Sequence, residues 1–499
     1  MNGNFFARIE SRCRPEATFL ETPAGARWTY GDLLATTARY ANALRDAGVA
    51  PGDRVAVQVE KSPEAYCVYL ATLRMGAIYV PLNTAYTPAE LEYFLGDCAP
   101  AALLVDPADA ARRSALAAAA GVHACLTLDA TGRGTFATAA EAAPAAFETV
   151  VRAPDDVAAI LYTSGTTGRQ KGAMISHGNL VSNGEAIAKL WGFGPGDVLL
   201  HALPIYHTHG LFISAHCSLL SGSAMLFTSR FVADEVLDLL PRATVMMGVP
   251  TFYTRLLESP RLDSARCRSI RLFVSGSAPL LPDTATAFTA RTGHEVLERY
   301  GMTEAIVIAS NPLRGERRPG SVGRAVEGVE LRVADASDAP VPPDTVGGVQ
   351  IRGSGVMKGY WRQPERTAQE FTADGWFRTG DLGVQGEDGY VALVGRAKDL
   401  VITGGFNVYP KEVELAIDAL PGVTESAVFG VPHRDFGEAV TAAVVRSDPA
   451  LDGTVILAAL RERLAAYKLP KRVHFVDELP RNAMGKVLKT TLRDRFNGS

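Results

Sequence analysis

The sequence is short of cysteine, of net charge and of long apolar runs, and each shortage closes off a class of protein. Six cysteines in 499 residues (Cys13, Cys67, Cys98, Cys125, Cys217, Cys267) are scattered with no C-x-x-C pair and no Cys/His cluster. That argues against a disulfide framework and a structural zinc site, and fits a reducing compartment. Fifty Lys plus Arg against 54 Asp plus Glu leave a formal charge of -4. The general basic excess of a nucleic-acid binder is missing, so no nucleic acid is expected as a partner and any phosphate chemistry must be local. The longest uncharged stretch, 198–229, is broken by Pro204, His207, His209, His216 and Gly222; it reads as buried helix and strand rather than a membrane span, and no membrane partner is expected. The N-terminus has no cationic flank before an apolar run, and the C-terminus carries no lipidation or peroxisomal signal, so a cytoplasmic location is expected.

What remains is an ordinary globular balance, 47% hydrophobic and 21% charged, in a chain about three times the length of a typical domain. Apolar runs alternate with helical patterns: strands over 54–59, 101–105 and 158–162 and a helix over 62–75 predict sheets with crossover helices, an α/β architecture. No fixed-period repeat is present. The Ala-rich segment 108–153 is chemically quiet, and Pro340 to Pro343 with Gly347 and Gly348 predict a turn before a strand at 349–352. A strand at 391–394 runs into the polar Arg396-Ala397-Lys398-Asp399. Beyond it, helices over 412–419 and 453–464 and strands over 425–430 and 439–445 predict a small α+β unit. The expected organisation is a large multi-sheet domain over 1–397 and a small mobile lid over 398–499, able to close over a reactive intermediate and exclude water.

The strongest local signal follows the strand at 158–162: Thr163-Ser164-Gly165-Thr166-Thr167-Gly168-Arg169-Gln170-Lys171-Gly172. Glycines let the backbone turn tightly and present N–H groups, hydroxyls add donors, and a lysine supplies a point charge, as polyphosphate binding requires. It is not a Walker A loop, because Lys171 is followed by Gly where that motif needs Ser or Thr. A flexible Gly/Thr turn is the other reading of the stretch taken alone.

The loop resembles the signature of the adenylate-forming superfamily, which contains acyl-CoA synthetases, luciferases and peptide-synthetase adenylation domains. The resemblance continues in order through Tyr300-Gly301-Met302-Thr303-Glu304, Thr379-Gly380-Asp381, Gly395-Arg396-Ala397-Lys398-Asp399 and Pro480-Arg481-Asn482-Ala483-Met484-Gly485-Lys486, nearly the whole chain. It implies transfer of AMP from ATP to a carboxylate, release of pyrophosphate, and attack of the coenzyme A thiol on the acyl-adenylate. It further implies that Glu304 holds Mg2+, a hard cation that wants carboxylate oxygen. Asp381 and Arg396 would contact the ribose. Gly276, Ser277, Ala278 and Pro279, with Glu298, Tyr300, Gly301 and Met302, would wall the adenine, and Thr303 would reach the α-phosphate. Lys486 would supply positive charge where negative charge develops during adenylation. Lys398 matches the hinge of the small domain, Gly404, Gly405 and Phe406 the pantetheine tunnel, and His207 the gate between acyl site and tunnel. His207 and His209 could suggest a metal pair, but no third ligand is evident.

The choice of acid should be written where side chains face the acyl group. Many relatives carry glycine just before the Tyr-Gly-x-Thr-Glu motif; here Arg299 stands there. A permanently charged, forked donor in a dry pocket is costly unless its partner arrives with the substrate, which predicts a second carboxylate. The alternative is that Arg299 turns outward or pairs with an internal acid. Ser277 would add a hydroxyl on the same side. The sequence is similar to malonyl-CoA synthetases in particular, through Pro204-Ile205-Tyr206-His207-Thr208-His209-Gly210 and through Leu297 to Met302. That implies malonate and methylmalonate as acids. Ala305-Ile306-Val307 departs from the Thr-Asn-Met type of triplet usual in such enzymes, and Val307 beside Thr208 would leave more room for a 2-substituent. Rival readings are an acyl- or aryl-CoA ligase for monocarboxylic acids and a non-catalytic nucleotide sensor; the sensor would be expected to have lost Lys486 or Glu304.

Overall fold

The computed structural model describes residues 2–163, 170–403, 406–433, 436–482 and 485–497. The chain divides into two compact α/β units. The larger comprises Met1–Pro319, Gly323–Glu330 and Ile351–Phe377, and the smaller Gly320–Val322, Leu331–Gln350 and Arg378–Ser499. Residues from 378 onward, including a hairpin that the sequence reading left in the first domain, thus group with the C-terminal body.

Two sheets build the larger unit. One has six strands in the order Ala124–Thr127, Ala102–Val105, Arg54–Gln58, Ile78–Pro81, Val157–Thr163 and Lys171–Ser176. Its pairings are parallel except for the last, where Thr163 sits opposite Lys171 in an antiparallel pair. The phosphate-loop segment therefore joins two antiparallel strands rather than a strand and a helix. The other sheet has nine strands, with Val198–His201, Val245–Gly248, Leu272–Ser275 and Val296–Tyr300 parallel at its centre. Parallel strands covered on both faces read as continuous apolar runs, as Val245–Gly248 and Leu272–Ser275 do, whereas Val296–Tyr300 carries Glu298 and Arg299.

The helix Pro63–Arg74 shows how local sequence sets an element. Ser62 accepts the Ala65 N–H at 3.0 Å and Pro63 occupies the first turn, so the start is fixed by a cap and a preset φ. Tyr66, Tyr69, Leu70 and Leu73 are fully buried; the Tyr69 hydroxyl meets His216 Nε2 at 2.9 Å and the Tyr66 hydroxyl donates to the Leu211 carbonyl at 3.3 Å, so both polar tips in this core have partners. Truncating Leu70 or Leu73 to Ala would cost about 2–5 kcal/mol. The stretch 198–229 resolves into the strand Val198–His201, a π-turn His209–Ser214, the helix Ala215–Ser221 and the strand Ala224–Phe227. Among the described residues no helix is long and apolar enough to cross a membrane.

In the smaller unit a five-stranded sheet carries a core on each face. Along Val423–His433, Val428 faces the core completed by Val413 and Ile417 of the helix Pro410–Asp418. The residues in alternate register, Ala427, Phe429 and Val431, face Leu492 of the helix Lys489–Phe496. This is the two-residue period of a strand buried on both sides. The strand outruns its expected end at 430 because it lies at the sheet edge, where Pro432 costs no ladder bond. The glycines at 347 and 348, expected in a turn, belong to the strand Gly347–Gly353. A Cβ at 347 would stand 2.5 Å from the Ala334 carbonyl oxygen, so glycine is needed there for close approach within the strand.

Candidate active site

Several sequence-selected residues of the larger unit fall just beyond the carboxyl ends of central parallel strands, the usual place for a ligand in an open α/β sheet. Leu272–Ser275 ends at Gly276-Ser277, Val296–Tyr300 ends at Gly301-Met302-Thr303-Glu304, and Val198–His201 leads into His207-Thr208-His209. The turn after Tyr300 is tight: the Met302 carbonyl accepts the N–H groups of Ala305 at 3.1 Å and Ile306 at 2.7 Å. A Cβ at Gly301 would lie 2.0 Å from the Ile306 carbonyl oxygen, so no other residue fits without moving the turn. Ile306 (φ 59°) and Ser277 (φ 73°) occupy left-handed backbone as non-glycines, a strain that surrounding structure must hold in place.

Glu304 and Lys171 are linked through a tyrosine that sequence reasoning missed. Glu304 is buried, and its Oε1 accepts the Tyr360 hydroxyl at 3.0 Å. The same Tyr360 ring lies 4.6 Å from the Lys171 ammonium, which pairs with Glu370 at 3.1 Å. Burial, then the Glu304 charge, raise the Tyr360 pKa, keeping it a hydrogen-bond donor. Tyr360 and Glu370 lie far downstream of the motifs they serve and carry no local signature. Among the described residues no cluster of three or more His, Cys, Asp or Glu could hold a metal. Ser164, Gly165, Thr166, Thr167 and Gly168 lie outside the described residues; Thr163 and Lys171 flank them as register partners.

A second cluster is built around Arg299, which is 6% exposed. Its guanidinium lies against the backbone of Gly276, where a Cβ would meet Nε and Cζ at 2.4 Å; this is why residue 276 has no side chain. Nε and Nη2 are buried without a hydrogen-bond partner, and no carboxylate pairs with the group among the described residues. Burial alone pushes its pKa down to about 9. His207 and His209 feel that charge: burial first, then Arg299, hold His207 at about 4 and His209 well below its ordinary value, so both imidazoles are neutral. His207 Nδ1 accepts the His209 backbone N–H at 3.2 Å, leaving the proton on Nε2. Ser277 Oγ meets His209 Nδ1 at 3.2 Å, while His209 Nε2 and Thr208 Oγ1 are buried without partners. Unpaired buried polar atoms are costly unless something compensates them. Val307 is fully buried, its backbone N–H and carbonyl both bonded to the Asn183 side chain.

The smaller unit gathers a second set. Asp381 and Arg396 are register partners in the hairpin of Phe377–Gln385 and Val391–Arg396, and their charged groups meet at 3.0 Å. Lys486 follows a turn in which Asn482 Oδ1 accepts its backbone N–H at 3.0 Å. Although exposed, its ammonium is held at about 8: desolvation acts first, the Arg396 and Lys398 cations add to it, and Asp381 and Asp399 pull the other way. Asp381, Arg396, Lys398 and Lys486 are thus electrostatic neighbours. Phe406 is 56% exposed and stacks on Tyr467 at 4.7 Å; Gly404 and Gly405 lie outside the described residues.

A family model described as AMP-binding enzyme matches residues 8–361, and one described as AMP-binding enzyme C-terminal domain matches 412–486. The crystal structure of ATP-bound MatB from Rhodopseudomonas palustris superposes with a TM-score of 0.98 at 53% identity, covering 100% of this chain and 99% of that one. Feruloyl-CoA synthase from Amycolatopsis sp is 39% identical over 97% of each chain. Malonate–CoA ligase from Arabidopsis thaliana is 34% identical over 89% of this chain and 78% of its own.

Proposed function

The chain belongs to the AMP-binding enzyme family, and on that premise we propose that it joins malonate, and methylmalonate, to coenzyme A with conversion of ATP to AMP and pyrophosphate. ATP-dependent ligation of an acid to coenzyme A is the coarser activity that the relatives share; the identity of the acid is the proposal. The observation that carries it is the buried guanidinium of Arg299, with two unpartnered nitrogens and no acid paired to it among the described residues. A monocarboxylic substrate spends its only charge at the α-phosphorus and leaves that cation unpaired. Malonate has a second carboxylate for the Nε and Nη2 edge, with Thr208 and the Ser277–His209 pair beside it.

In this reading one carboxylate oxygen attacks the α-phosphorus of ATP, the bond to the bridging oxygen breaks and pyrophosphate leaves; the coenzyme A thiolate then attacks the acyl carbon and expels AMP. Segment 163–168 and Lys171 bind phosphate, and Thr303 donates to the α-phosphate. The Glu304 carboxylate would hold Mg2+ together with phosphate oxygens, a donor set suited to a hard cation, which screens the charge of the leaving group. Gly276, Ala278, Pro279, Glu298, Tyr300, Gly301 and Met302 form the adenine wall, and Asp381 accepts the ribose hydroxyls beside Arg396. Lys486 stabilises charge as it builds between carboxylate and α-phosphate. Lys398 is the hinge between half-reactions, and Gly404, Gly405 and Phe406 line the pantetheine path gated by His207.

Acid-dependent AMP release with malonate, methylmalonate, succinate, acetate and benzoate tests the proposal. Malonate and methylmalonate should lead. The identity to feruloyl-CoA synthase favours a second reading, an aryl acid with no far charge, and benzoate as the best of the five would establish it instead.

A further inference from the structure

Outside the groups that would touch substrate, the larger unit holds one buried lysine that no carboxylate neutralises among the described residues. Lys61 follows the strand Arg54–Gln58 and is 6% exposed. Its Nζ donates to His201 Nδ1 at 2.9 Å and to the His201 backbone carbonyl at 2.8 Å, and it lies 4.2 Å from the centroid of Phe227. His201, the last residue of its strand, is equally enclosed and stacks on the same Phe227 ring at 5.0 Å. Its Nε2 is 2.8 Å from the Gly210 carbonyl oxygen. A carbonyl only accepts, so Nε2 carries the proton and Nδ1 offers its lone pair to Lys61. The tautomer is fixed from both sides.

The consequence lies in what the ring bridges. Residue 201 opens the connection that carries His207, Thr208 and His209, and residue 210 closes it. At the closing end a Cβ on Gly210 would be 2.1 Å from the Pro204 carbonyl oxygen, so the two backbone segments touch. The imidazole therefore staples the beginning of this loop to its end, and Lys61 holds the staple. Burial pushes the pKa of both groups well down, for His201 with the Lys61 charge adding to it, so a protonated imidazole is excluded at neutral pH.

We propose that Lys61 and His201 are positioning residues for the acid substrate, holding His207 and His209 near Arg299 through the Gly210 carbonyl. Neither touches the acid. The inference rests on the acyl site lying at Arg299 and residues 207–209, and not on malonate being the acid.

The test is steady-state kinetics on the full chain for Lys61→Met, His201→Leu, the double variant and His201→Gln, with whichever acid the wild type uses best. Each apolar single variant should raise the KM for the acid about tenfold, the scale of one buried hydrogen bond, while the KM for ATP stays within about twofold. Because both residues act through one chain of contacts, the double variant should be no worse than the worse single. His201→Gln should recover most of the loss, since its amide nitrogen can donate to Gly210. If an apolar variant does not fold, Lys61→Gln and His201→Asn, whose amide is too short to reach the Gly210 carbonyl, carry the same comparison of acid KM against ATP KM. A lowered melting temperature with unchanged acid KM, a parallel rise of both KM values, or single effects that multiply in the double variant would each overturn the proposal. A wild type that prefers some other acid would instead count against the malonate reading alone.

Discussion

Replacing Arg299 with Met should make the unliganded protein more stable and the enzyme much worse, and the opposite signs separate a substrate-binding cation from a structural one. The guanidinium stays charged at neutral pH, because even a pKa of about 9 leaves it protonated there. The depression from its ordinary value corresponds to a desolvation cost of roughly 5 kcal/mol, an upper bound on what the free enzyme carries. Methionine fills similar volume without charge, so the melting temperature should rise by a few degrees, a gain of about 1–2 kcal/mol after loss of packing is set against it. Truncating one partner of a buried charge pair costs about 2–5 kcal/mol, so kcat/KM for malonate should fall about 30- to 4,000-fold. The KM for ATP should hold. Differential scanning fluorimetry and an AMP-release assay on the same preparation give both readings. A variant that loses stability, or that uses malonate within about threefold of wild type, would refute the reasoning.

Lys486→Ala should lower adenylation by roughly 100-fold or more while thioester formation from supplied acyl-adenylate survives; equal loss in both half-reactions would contradict the division of roles. Val307→Met should lower the ratio of kcat/KM for ethylmalonate against malonate if residue 307 borders the α-carbon substituent, and an unchanged ratio removes it from the pocket. Burial raises the Asp418 pKa to about 6, against a hydrogen bond from Ser426. A raised acid gives its full contribution to stability below its unfolded value, loses it as pH climbs toward 6, and stays lost above. Asp418→Asn, which can still accept from Ser426, should therefore stabilise the protein by about 1–3 kcal/mol at pH 7.5 and by little at pH 4, read as the difference in urea midpoints between variant and wild type.

The α/β architecture was legible because buried parallel strands and their helices leave long apolar runs, and the helix at 63–74 was placed to within a residue by Ser62, Pro63 and its apolar face. The end of the strand at 423–433 was not, because Pro432 reads as a terminator unless the strand is known to be at an edge. Arg299 stood out by its place beside a recognisable turn, but its lack of an acid partner among the described residues is a property of packing that no local pattern encodes. Gly276 was singled out as part of an adenine wall, and nothing in the sequence showed that the Arg299 guanidinium also lies on that position and leaves no room for a side chain. Tyr360 reaches Glu304 across 56 residues of sequence, and Lys61 reaches His201 across 140, separations over which sequence alone gives no register.

The far negative charge is the feature on which the reading of this enzyme depends, and it can be removed without touching the protein. The ratio of kcat/KM for malonate against its monomethyl ester, which keeps the reacting carboxylate and replaces the other with a neutral group, measures what Arg299 contributes. The expected result is a preference for malonate of about 100-fold or more, the scale of a buried charge pair. Equal use of the two acids would mean that the guanidinium serves some other purpose, leaving a ligase whose acid is chosen elsewhere.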